Sequence, residues 1–142
     1  MLDTISHNEL INLFTEYTNS NTDSFFIVNK QDEIIFANKA LENYIQKPIN
    51  KIIDSNFGLT LGCMYLKKDN NSCGNTYYCS ICKIRNTIND CFNNPKSVIR
   101  NEVVRDFKIN DEVIFKQMNL TAYYVEINNQ PHVAISIIKV DY

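Results

Sequence analysis

Apolar positions repeat with one period near the start of the chain and with another at its end. In residues 6–19, Leu10, Leu13, Phe14 and Tyr17 fall at i, i+3, i+4 and i+7, which gives one apolar helix face. Ser6 with Glu9 three residues on is a capping-box pattern at the start of that helix. Polar residues from Thr18 to Asp23 end it. Two short β-prone runs follow, Phe25-Phe26-Ile27-Val28 and Ile34-Ile35-Phe36-Ala37. Asn29-Lys30-Gln31-Asp32-Glu33 between them has the turn formers of a hairpin. Asn38 can cap a short helix through Leu41, Tyr44 and Ile45, which Pro48 ends by restricting Lys47. Ile49, Ile52 and Ile53 suggest another helical turn or two.

Periodicity fades from Ser55 to Asn75, a stretch that contains all three glycines, Gly58, Gly62 and Gly74. It returns at Ile81, Ile84, Ile88 and Phe92, a helix with Ser80 as its expected N-cap and Asn93-Asn94-Pro95 as its stop. The last third is strand-like over Val98–Ile109, Val113–Ile127 and His132–Val140. Asn110-Asp111 and Asn128-Asn129-Gln130-Pro131 supply the turns between these runs. Two strands first and three last, with helices between, predict an α+β fold with an antiparallel sheet covered on one face.

Composition narrows the functional classes. The chain has 142 residues, 44% of them hydrophobic and 21% charged, which fits one globular domain. A formal net charge of −2 and the lack of a basic stripe argue against nucleic acid. No apolar run approaches the roughly 20 residues of a membrane span. The start, Met1-Leu2-Asp3-Thr4, lacks the pattern of a signal peptide, so a cytoplasmic protein is expected. Asparagine is abundant, and its excess is assigned no role.

A reducing cytoplasm gives the cysteines their interest, because clustered thiols there bind metal or do redox work more often than they form stable disulfides. Four of the five read Cys63-x9-Cys73-x5-Cys79-x2-Cys82, with Gly62 before the first and Gly74 after the second. A Cys-x-x-Cys pair with two further thiols suffices for a closed four-sulfur site. Cys91 shares the apolar helix face with Ile84, Ile88 and Phe92, and is expected to pack as a small hydrophobe. No phosphate-binding glycine loop, His-Glu-x-x-His or nucleophile elbow is found, so catalysis is not expected.

The segment Phe26-Ile27-Val28-Asn29-Lys30-Gln31-Asp32-Glu33-Ile34-Ile35-Phe36-Ala37-Asn38 resembles the first hairpin of a PAS domain, which closes with an Asn at the next helix. Ala40-Leu41-Glu42, the Pro48-Ile49 region and the three C-terminal strands extend the resemblance over roughly residues 22–140. Two positions depart from it: Asn29 stands where the family often has Asp, and Asp32 where it often has Gly. The resemblance implies a sensory or interaction module with a five-stranded antiparallel sheet and a pocket between sheet and helices. It divides the chain into an N-terminal amphipathic helix, 1–21, and a PAS domain, 22–142. It also implies dimerisation, often through a helix before the first strand. Residues 6–19 take that place, as a homodimer contact or folded back on their own sheet. Since no output segment follows the last predicted strand, a signalling partner or output domain in trans is expected, or a longer receptor of which this is one domain.

In the PAS reading Cys63, Cys73 and Cys79 lie in the loop before the central helix, and Cys82 in that helix's first turn. Backbone N–H groups and the positive end of the macrodipole favour thiolate there. An iron–sulfur cluster tolerates the irregular spacing and draws on such N–H donors. Structural zinc is the alternative, although only one Cys-x-x-Cys knuckle is present. A reversible Cys79–Cys82 disulfide and unrelated thiols remain open. His132 could ligate haem, but a lone strand histidine is more often structural. Leu61-Gly62-Cys63-Met64-Tyr65-Leu66 lacks the Arg and Gln of a flavin-photosensor motif.

Overall fold

The computed structural model describes residues 23–63 and 82–140. The N-terminal helix expected at 6–19 lies outside these residues, as do Cys73, Cys79, Ser80 and Gly74. The described elements are β1 (Ser24–Val28), β2 (Ile34–Ala37), α1 (Lys39–Ile45), α2 (Ile49–Ile52), α3 (Phe57–Leu61), α4 (Lys83–Asn93), β3 (Ile99–Ile109), β4 (Glu112–Ile127) and β5 (Gln130–Lys139). The strands form one antiparallel sheet in the order β2-β1-β5-β4-β3. This is the five-stranded arrangement that the resemblance implies.

Position in the sheet explains the apolar patterns. β1 is buried throughout and β5 from His132 to Ile135, on both sheet faces, so these strands read as near-continuous apolar runs. β3 lies at the edge and alternates: Val103, Phe107 and Ile109 are buried while Arg100, Glu102, Asp106 and Lys108 are exposed. Charges along an exposed edge oppose pairing with other chains.

The main core packs Phe26, Val28, Val103, Phe107, Leu120, Val133 and Ile135 of the sheet against Leu41, Ile52, Phe57, Ile84 and Ile88 of the helices. Cys91 belongs to it at 0% exposure, and burial pushes its thiol pKa up to about 11. These side chains pack between the sheet and the helices. A second apolar cluster, Phe25, Ile27, Phe36, Val125, Ile127 and Ala134, lies on the opposite sheet face. The expectation of one buried face is therefore incomplete, because alternate residues of β1 enter different clusters.

Short polar residues set the corners. Asn38 caps α1: its Oδ1 accepts from the Leu41 and Phe25 N–H groups, both at 3.0 Å, and its Nδ2 donates to the Asp23 carbonyl at 2.8 Å. Asn29 does at the hairpin what an Asp does, accepting from the Gln31 N–H at 2.9 Å and the Glu33 N–H at 3.0 Å. Asp32 is left-handed, at φ 64°, where glycine is the easier choice. The β3–β4 turn is Asn110-Asp111 and the β4–β5 turn is Asn128-Asn129, all four with positive φ, as two-residue hairpins require. Asparagine thus has a structural use at these corners. The second turn is shorter than the sequence suggests, since Gln130 and Pro131 already pair with β4. β1 reaches only to Val133, so Pro131 sits where β5 has a neighbour on one side only.

One boundary is corrected. The central helix α4 starts at Lys83, with Cys82 as its N-cap, whereas the sequence places Cys82 inside the first turn and Ser80 at the cap. The Cys82 side chain takes the capping bond itself.

Cys91 should resist alkylation in the native protein and react only on unfolding. Mass spectrometry after iodoacetamide treatment, with and without denaturant, checks this, and native modification of Cys91 would contradict its place in the core.

Candidate functional site

Cys63 is held by the backbone on both sides of it. α3 ends at Leu61, and Gly62 follows with φ +89°, a conformation open to glycine and strained for other residues. The Lys108 N–H donates to the Gly62 carbonyl at 2.8 Å, and the Cys63 N–H donates to the Gly58 carbonyl at 3.0 Å. Cys63 forms an isolated antiparallel bridge with Phe107 of β3. A Cβ at position 62 would meet the Lys108 carbonyl oxygen at 2.4 Å. Only glycine lets the chain approach β3 this closely.

Cys82 is held by the start of α4. Its Sγ accepts the Arg85 N–H at 3.5 Å, and its carbonyl accepts the Asn86 N–H at 2.9 Å. Sulfur takes the role that Ser, Thr, Asp or Asn has at most N-caps. A thiolate there also faces the positive end of the helix macrodipole. The Arg85 side chain turns the other way, pairing with Asp32 at 3.0 Å and lying over the Phe57 ring at 5.2 Å from its centroid. The helix start is thereby tied to the β1–β2 hairpin and to α3. Asp32 gains from its carboxylate a contact that glycine could not make.

Arg105 joins the two cysteines. It is partly buried on β3, between Val103 and Phe107 on the helix-facing side. Its Nη1 donates to Cys82 Sγ at 3.5 Å and its Nη2 to Cys63 Sγ at 3.4 Å. The guanidinium carbon lies 5.1 Å from the Phe107 ring centroid. Burial would lower the Arg105 pKa, but the charges of Cys82 and Cys63 and their hydrogen bonds outweigh it and raise it. Arg105 belongs to no spacing motif in the sequence. Its signal was a cation at an inward position of an alternating strand, in the run Val103-x-Arg105-x-Phe107-x-Ile109.

Two of the four expected ligands are therefore brought together, and Cys73 and Cys79 fall outside the described residues. Among the described residues, no three of His, Cys, Asp and Glu are grouped as a metal site. Cys63 and Cys82 present two sulfurs to one cation, and Cys82 also accepts a backbone N–H, which are the donor types that a thiolate-held centre would draw on. His132 is buried opposite Val125, on the sheet face away from the helices, and its Nδ1 lies 2.9 Å from the Gln130 carbonyl oxygen. That position gives no support to an axial haem ligand in the space between sheet and helices. An open cleft of about 380 Å³ lies past the end of α4, lined by residues 93–97 with Tyr124 and Glu126. It lies at the opposite end of α4 from Cys82. No described helix is long and apolar enough to cross a membrane.

Replacing Gly62 with Ala should cost about 1–3 kcal/mol from its left-handed backbone alone. Urea denaturation of G62A measures it, and a stability equal to wild type would show that Gly62 does not set the approach to β3.

Neither a family model nor a curated protein sequence matches this chain. Solved structures do. The PAS domain of an HTR-like protein from Haloarcula marismortui superposes with a TM-score of 0.63 at 5% identity, covering 94% of this chain and 93% of that one. The PAS domain of nitrogen regulation protein NR(II) from Vibrio parahaemolyticus gives 0.61 at 12% identity, covering 90% and 98%. A LOV protein from Rhodobacter sphaeroides gives 0.61 at 11% identity, covering 94% and 68%. At these identities the agreement is one of backbone and topology, and the chain has the PAS-domain fold.

Proposed function

We propose that this protein is a sensory module in which Cys63, Cys73, Cys79 and Cys82 hold a redox-active iron–sulfur cluster, through which redox state or a gas is read. The observation that carries the proposal is the single guanidinium of Arg105 bonded to both Cys63 and Cys82. It supports a centre in which the two ends of the 63–82 stretch meet at one point. Cys73 and Cys79 complete the ligand set by the spacing of the motif. A bound cluster supplies one-electron chemistry and a site for attack by oxygen or nitric oxide.

The chain's own residues then connect the site to the rest of the fold. Cys63 is fastened to β3 through Gly62 and Phe107, and Cys82 to α4. Release of the two thiolates would remove the acceptors of Arg105 and the cap of α4 together. The Arg85–Asp32 pair transmits a change at the helix start to the hairpin. Such a shift biases contacts with a partner. The proposed contacts are a homodimer through the residue 6–19 helix and a signalling protein or output domain in trans. Exposed Val104, Val113 and Phe115 on β3 and β4 offer apolar surface for either.

Protein purified without oxygen should contain iron and acid-labile sulfide and be coloured. Single Cys→Ser changes at positions 63, 73, 79 and 82 should each bleach it, whereas C91S should not. Colourless protein with stoichiometric zinc would overturn the redox reading and make the cysteines a structural staple. Metal-free protein of full stability would overturn both.

A further inference from the structure

The proposed four-cysteine centre accounts for the sulfurs but not for the cation placed between two of them. We infer that Arg105 is a positioning residue of that centre, which donates to the bound Cys63 and Cys82 thiolates and offsets their negative charge. The inference rests on the cluster reading above and concerns what tunes it.

Three observations carry it. The first is geometric. Nη1 and Nη2 each reach a different sulfur, at 3.5 and 3.4 Å, so the fork spans both rather than pairing with one. Guanidinium is planar and permanently charged, and its donors are fixed relative to one another. One arginine therefore sets where the two sulfurs stand with respect to each other. A lysine ammonium, a point charge on a flexible stem, could supply charge there without fixing this geometry.

The second is placement. Arg105 stands at an inward position of β3, two residues before Phe107, whose backbone bridges Cys63. The strand that anchors Cys63 thus also carries the cation that reaches Cys82. Partial burial and the Phe107 ring beneath the guanidinium restrict the side chain further. A cation at an inward strand position is costly to desolvate unless its partners are anionic and close.

The third is the division of labour with Arg85. Arg85 follows Cys82 by three residues, and its backbone N–H donates to the sulfur while its guanidinium pairs with Asp32. Its positive charge is matched by a carboxylate. The acceptors that Arg105 meets at its two terminal nitrogens are the two sulfurs.

The chemical consequence is directional. Adding one electron makes a thiolate-held cluster more negative, and a nearby donor cation stabilises the reduced form more than the oxidised one. Arg105 should therefore raise the reduction potential of the centre. The same argument predicts that the potential falls when the charge goes, even where the fold and the metal content are unchanged.

The test compares wild type, R105K and R105Q, purified without oxygen, with circular dichroism as the check on folding and iron content as the check on loading. Midpoint potentials come from titration with dithionite and mediators, followed by the visible spectrum. At fixed potential, R105Q should have a reduced-to-oxidised ratio at least about tenfold below wild type, a shift of about 59 mV for one electron. R105K should fall between the two. Equal midpoints in all three proteins overturn the inference and leave the cluster reading intact. Wild-type protein without iron overturns the cluster reading and the inference with it. If R105Q fails to load, wild-type protein with ¹⁵N-labelled arginine decides instead. Coupling of arginine nitrogen to the electron spin of the reduced protein is expected, and its absence overturns the inference.

Discussion

The contact on which the candidate site depends is the approach of Gly62 to β3. The Gly62 carbonyl accepts from the Lys108 N–H at 2.8 Å, and a side chain at position 62 would collide with the Lys108 carbonyl. This contact places Cys63 opposite Phe107 and within reach of Arg105. Without it the cysteine would hang from the end of a five-residue helix, with nothing to fix its distance from Cys82. A steric constraint on one backbone position thus becomes a constraint on the chemistry of a sulfur.

Charge organises the surroundings of that contact. Two arginines stand near Cys82, and their guanidinium groups take different acceptors: the Asp32 carboxylate for Arg85, and the sulfurs of Cys63 and Cys82 for Arg105. Hydrogen bonds from a cation to an anionic acceptor are about twice as strong as neutral ones. The pair Asp32–Arg85 links a left-handed turn residue to the first turn of α4. A position that sequence comparison treats as a departure from glycine is therefore one end of a tie between hairpin and helix. The cysteines, the hairpin and the edge strand β3 are mechanically connected through two side chains.

The chain reaches left-handed backbone with very few glycines. Asp32, Asp54, Asn110, Asp111, Asn128 and Asn129 all adopt positive φ, and among the described glycines Gly62 does so where a Cβ has no room. Asn and Asp tolerate this conformation because their short polar side chains can bond the local backbone. Glycine is thus used at position 62 for close approach, while asparagine, aspartate and, at the end of α1, Gln46 serve where only the turn geometry matters.

Strand and helix periods, the Asn38 cap, the paired Asn and Asp turns and the inward place of Cys91 are legible in the chain because each arises from neighbours a few residues apart. The four-cysteine spacing was legible as a candidate for the same reason, and it named Cys63 and Cys82 without saying how they meet. The start of α4 was misplaced by the sequence because a sulfur does the capping, and capping preferences point to Ser80 instead. The second buried sheet face was not expected, because a continuous apolar run such as β1 does not say what covers each side. Arg105 could not be assigned by spacing at all, since it stands 23 residues from Cys82 and 42 from Cys63. Local rules fix periods and turns. Which distant side chains share one point is settled by strand order and by how closely Gly62 lets two backbones approach.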